Sequence, residues 1–144
     1  MGGGILLRIK RLYHNSRHHS LGVKLGLSIP LNVFGPGLCI VHPGTIVVAS
    51  GATIGRNCRI HEGVTIGATN GQSKAATIGD NVFIASGAKI IGDIKICDDV
   101  AIGANAVVVK SVLEPCTVGG IPAKVISKNT SILNLKPLSE EMVR

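Results

Sequence analysis

Aromatic side chains are almost missing from this sequence, which holds no Trp, one Tyr and two Phe in 144 residues. A core without them must be filled by small branched side chains, and 19 Gly with abundant Ile, Val and Ala suit a narrow, regular interior. Long apolar runs are missing too: Gly or a charged residue interrupts each stretch before it reaches the ~20 residues a membrane span needs. The opening MGGGILLRIK is too short in apolar residues for a signal peptide, and Arg8 and Lys10 break into it. The expected location is the cytoplasm. Cys39, Cys58, Cys97 and Cys116 are far apart and form no C-x-x-C pair, so no zinc knuckle is read from them. They read as buried or half-buried free thiols.

Acid is absent before Glu62, while Arg8, Lys10, Arg11, Arg17 and Lys24 crowd the start of a chain of net charge +7. A basic end serves nucleic acid, an anionic membrane surface or solubility. Without aromatics to stack on bases, and with no nucleic-acid motif, nucleic acid is disfavoured. Contact between the basic leader and a membrane surface stays open. The length fits one domain with short appendages.

What is there is a period of six. Ile54, Ile60, Ile66, Ile78, Ile84, Ile90, Ile96, Ile102 and Val108 share one register, broken only by the double spacing between Ile66 and Ile78. Four residues after each comes a second small or branched apolar residue, such as Cys58, Val64, Val82, Ala88 and Val100, with Asn70 the exception. Turn formers such as Arg56-Asn57, Asp80-Asn81 and Asp98-Asp99 lie between. Alternation with a period of two and helical spacing both fail against this pattern. Hexads with an inward aliphatic and a polar corner describe a solenoid whose units bury their apolar face only by stacking.

Three hexads make a triangular coil, so residues 18 apart are expected to stack. The coil is placed at 30–126, with the polar stretch NGQSKAAT, 70–77, as a loop thrust from a corner. Before it, residues 1–29 form a basic leader in which Ile5, Leu6, Ile9 and Leu12 predict a short amphipathic helix, followed by the polar YHNSRHHS. The tail, 127–144, is polar, with a last helical turn expected near Glu140. Strict register points His42 inward, unless the first coil is irregular or the register slips between Ile46 and Val48.

The segments IVHPGTIVV (40–48), IHEGVTIGAT (60–69), IASGAKIIG (84–92), IGANAVVVK (102–110) and GGIPAKVI (119–126) resemble, in order and spacing, the serine acetyltransferase branch of the hexapeptide-repeat acyltransferases. The resemblance implies a left-handed parallel β-helix, a homotrimer with sites between subunits, and direct transfer of acetyl from acetyl-CoA to a hydroxyl, with no metal. His42 occupies the position of the family's catalytic histidine. The chemistry asks for such a base, because an alcohol is protonated at neutral pH and imidazole, with a reference pKa of about 6.5, is suited to take its proton.

The family supports that histidine with an upstream Asp and places another just before it, whereas Val41 fills that place here. Candidates to orient His42 are a backbone carbonyl, Asn32 or Glu62, about one coil above; His61 reads as a corner residue, with lining the site as the alternative. Where the family pairs a basic residue with a histidine to hold the acceptor's carboxylate, this chain has Lys74 and then Ala75. The resemblance assigns Ala68, Thr69, Ser86 and Ala104 to the pantetheine arm of coenzyme A, and Lys110 and Lys124 to its phosphates. Cys39 is the rival nucleophile for a covalent route.

The acceptor expected from these residues is a small hydroxylated molecule, either serine or a sugar hydroxyl, with the sugar favoured because no anion is evident for serine's ammonium. Two other classes stand beside the enzyme: an inactive trimeric β-helix scaffold, and a metal-dependent carbonic anhydrase on the same coil. The latter needs three converging histidines, and the coil holds only His42 and His61.

Overall fold

The computed structural model of the protein describes residues 3–134. The helical turn expected near Glu140 lies outside the described residues. The chain opens with α1 (Gly3–Leu25), longer than the short helix expected. The run YHNSRHHS contains neither Gly nor Pro to break it, so the helix continues to Gly26, whose φ of 72° ends it with its N–H on the Val23 carbonyl. No helix among the described residues is long and apolar enough to cross a membrane.

Five turns of a left-handed parallel β-helix follow. The first holds β1 (Leu27–Ser28) and β2 (Cys39–Ile40); the second β3 (Ile46–Val48), β4 (Thr53–Ile54) and β5 (Arg59–Ile60). The third holds β6 (Thr65–Gly67), β7 (Thr77–Ile78) and β8 (Phe83–Ile84); the fourth β9 (Lys89–Ile91), β10 (Lys95–Ile96) and β11 (Ala101–Ile102). The fifth holds β12 (Val107–Val108) and β13 (Thr117–Gly119), and β14 (Lys124–Ser127) turns back antiparallel on β13. The first face is β1-β3-β6-β9-β12, the second β4-β7-β10, and the third β2-β5-β8-β11-β13 with β14 at its edge.

All nine residues of the six-residue register are 2% exposed or less, and they stack into one column of core per face. Truncating one such Ile to Ala costs about 2–5 kcal/mol. The 18-residue repeat holds for Ile78 beneath Ile96 and Ile84 beneath Ile102, but Ile60 stands beneath Ile84, because the loop inserts one extra hexad. Ala75 and Ala76, assigned to that loop from sequence, are buried and already back in the core. The exposed part of the loop is 69–74.

The register does slip, but before Ile46 rather than between Ile46 and Val48. Ile40 pairs with Ile60 and Val48 with Ile66, so the chain between Ile40 and Val48 carries two residues more than the hexad rule allows. The extra length bulges at the corner His42-Pro43-Gly44-Thr45. It leaves His42 exposed rather than inward.

Candidate active site

Where the third face turns into the first, successive turns stack His42, then His61-Glu62-Gly63, then Ser86-Gly87, then Ala104-Asn105. The bulge closes on the corner above it. Gly63 donates its N–H to the Thr45 carbonyl at 2.7 Å, and Gly44, at φ 155°, lies so close that a Cβ there would meet Glu62 Cβ at 2.6 Å. The rings of His42 and His61 meet edge to face with centroids 5.6 Å apart, and His61 meets Phe83 in the same manner at 5.2 Å.

Glu62 completes the cluster. A hydrogen bond from Ser86 holds its carboxyl below the usual carboxylate range, helped by its own backbone and by the nearby His42 and His61. It is therefore an anion at neutral pH. Glu62 Oε2 is shielded from solvent and has no hydrogen-bond partner among the described residues, which leaves one acceptor available at the edge of the cluster. Lys89 on β9 fixes the same corner by donating Nζ to the Gly63 carbonyl.

Of the residues marked from sequence, the structure thus brings together His42, His61, Glu62 and Ser86. Ala104 is exposed two turns above Glu62 on the same corner. Asn32 is not brought to His42. It sits with φ 63° between β1 and Phe34, which bridges to Ile54 on the second face, so it belongs to the opposite edge of the first face. Ala68, Thr69 and the exposed Lys74 follow β6 on that opposite edge as well, and Lys110 follows β12 there. The loop holding Lys74 packs over the preceding corner, where Ala75 donates its N–H to the Gly51 carbonyl. Lys110 and Lys124, far apart in sequence, line one cleft of about 860 Å³ at the end of the coil with Lys128, Val112, Leu113 and Val125.

Phe83 and Arg59 were not singled out from sequence. Both face outward on the third face, in the column Cys39, Arg59, Phe83, Ala101, and Arg59 is nonetheless only 7% exposed. The signal available was position, since each directly precedes an inward Ile. Among the described residues, no group of three or more His, Cys, Asp or Glu converges to hold a metal. All four cysteines are free, and burial pushes the Cys58 thiol up to about 12.

Residues 75–110 match the bacterial transferase hexapeptide family of six repeats. The serine acetyltransferase of Synechococcus elongatus is 41% identical over 97 residues, which is 66% of this chain and 40% of the relative. A crystal structure of serine acetyltransferase from Brucella abortus in complex with coenzyme A aligns at 37% identity and a TM-score of 0.63, over 68% of this chain and 40% of that one. One from Neisseria gonorrhoeae in complex with serine aligns at 39% and 0.59, over 64% and 39%. The chain spans less than half the length of the curated relatives it matches. Its repeat, its coil and these alignments place it in the hexapeptide-repeat acyltransferase superfamily, in the serine acetyltransferase-like branch.

Proposed function

We propose that this protein is an acetyl-CoA-dependent O-acetyltransferase whose chemistry takes place at the corner carrying His42. The observation that carries this reading is the cluster itself: an exposed imidazole lifted out of the coil by a two-residue bulge, beside a second imidazole and an ionised carboxylate. The relatives named as serine acetyltransferases, and the coenzyme-A complex among the aligned structures, support the reaction class.

In the proposed reaction His42 takes the proton of the acceptor hydroxyl as its oxygen attacks the thioester carbonyl. The C–S bond of the tetrahedral intermediate then breaks, and the imidazolium returns the proton to the leaving thiolate. Glu62, kept anionic by Ser86, favours the imidazolium while it exists. His61 limits the orientations open to the His42 ring. Ser86 thus acts through Glu62, in addition to the part in binding pantetheine that the resemblance gives it.

The same placement supports a homotrimer. The His42 corner and the edge carrying Thr69, Lys74 and Lys110 flank opposite sides of the first face, so a site using both draws them from two chains. Serine is placed ahead of a neutral sugar as acceptor, reversing the preference drawn from sequence. The objection to serine was the lack of an anion for its ammonium, and the ionised Glu62 now offers one beside the proposed base; the aligned complex with serine points the same way. Ala75 is buried, so a carboxylate partner from the loop rests on Lys74 alone.

The test is release of free coenzyme A from acetyl-CoA against a panel of hydroxyl acceptors, with serine, serine methyl ester, ethanolamine and neutral hexoses among them. Turnover is expected with serine above all. Release with no acceptor on the panel would return the chain to the inactive-scaffold class, and a hexose as best acceptor would restore the sugar reading.

A further inference from the structure

α1 belongs to none of the three faces of the coil. At 1.5 Å per residue it is about 35 Å long, and its recorded contacts with the strands are to β1, at its C-terminal end. Leu7, Leu12 and Val23 are 69%, 69% and 70% exposed, and Ile9, Tyr13 and Leu21 lie half or more in the open. At 3.6 residues per turn, Ile9, Leu12 and Tyr13 fall within an arc of about 100°, extended along the helix by Ser16, Ser20 and Val23. Arg8 flanks one edge of this arc, while Lys10 and Arg17 flank the other, and Arg17 lies over the Tyr13 ring at 5.9 Å. No Asp or Glu occurs anywhere on the helix.

We infer that α1 is a docking element for an anionic lipid surface, holding the coil against a membrane without crossing it. Charge complementarity selects this occupant. The phosphates of a nucleic acid would satisfy the cations but leave Ile9, Leu12 and Tyr13 in water. A second copy of the helix would bury the apolar arc but set like charges side by side, with no acid to pair them. A bilayer with anionic headgroups meets both needs: the apolar side chains enter the acyl boundary while Arg8, Lys10 and Arg17 reach back to the phosphates. Three such helices on a trimer would bind jointly. The inference does not depend on the reaction proposed above.

The experiment is co-sedimentation of the full chain with phosphatidylcholine vesicles, with and without about a third phosphatidylserine. Binding to the anionic vesicles is expected to be at least about tenfold stronger and to weaken as salt is raised. The double variant Ile9→Ser/Leu12→Ser and the triple variant Arg8→Gln/Lys10→Gln/Arg17→Gln are each expected to lose most of it. Their thermal unfolding should match that of the wild type, because none of these residues packs in the coil. Equal affinity for both vesicle types, no binding at all, or retained binding by either variant would overturn the inference. So would tighter binding to a short RNA duplex, or efficient disulfide cross-linking of an Ile9→Cys variant between copies in solution.

Discussion

Two corners of the coil are built from polar residues, and they treat those residues in opposite ways. Between the second and third faces the polar groups satisfy one another. Asn57 donates to Asn81 at 3.0 Å and Asn81 to Asp99 at 3.0 Å, all three with left-handed backbones, while Arg56 pairs with Asp80 at 2.8 Å and Asp98 accepts from the Asp80 N–H. Ser131, fully buried, joins the ladder through the Asn81 and Asp99 carbonyls. Between the third and first faces, His42 is exposed and Glu62 keeps a shielded oxygen without a partner among the described residues. A corner that consumes its polar groups internally stabilises the coil. One that holds them out can act on something else.

The largest expected effect breaks this contrast from the side of function. His42→Ala should lower kcat/KM at least about a hundredfold, the lower end of what general-base catalysis supplies, with coenzyme-A affinity little changed. Its thermal midpoint should stay near that of the wild type, since the exposed ring packs in no core. Asn81→Ala should do the reverse. It removes the middle rung and strands Asn57 and Asp99, at a cost of about 1–3 kcal/mol. Chemical denaturation should report that loss while kcat/KM at low temperature is kept.

Glu62→Gln sharpens the comparison with a smaller change, because it keeps the shape and removes the charge. A drop in kcat/KM of about tenfold at neutral pH is expected, the size of effect of one half-buried charge facing the imidazolium. The pH dependence of stability carries a definite sign. Glu62's folded pKa is lowered, so its contribution is present above the ordinary carboxylate value and is lost as the pH falls through the folded value beneath it. Thermal midpoints of the wild type and Glu62→Gln should therefore converge in acid and separate, modestly, toward neutrality.

The regular part of the molecule was legible because each inward position repeats the same demand, and Ile54 through Val108 meet it without compromise. The irregular part was not. Ile40 and Ile46 are both apolar, so the register could be traced through either, and backbone pairing alone locates the two extra residues at His42–Thr45. The membership of His42 and Glu62 in one cluster followed from the motifs. Phe83 and Arg59 were missed because the outward position before an inward Ile accepts almost any side chain. Within one chain Asn32 stands away from His42, because closeness in sequence says little in a coil. Ten residues there cross from one edge of the first face to the other.

Direct transfer at the open corner is tested most directly by a single turnover with label on the acetyl group, the protein in excess over acetyl-CoA, quenched in acid at successive times. The label is expected to pass straight to the acceptor hydroxyl, with none on the protein at any time and no passage in His42→Ala on the same timescale. Cys39, outward on β2 and three residues before His42, is the one thiol placed to intercept it. Label held on Cys39 and then passed to the acceptor, or transfer at an undiminished rate without His42, would contradict the mechanism.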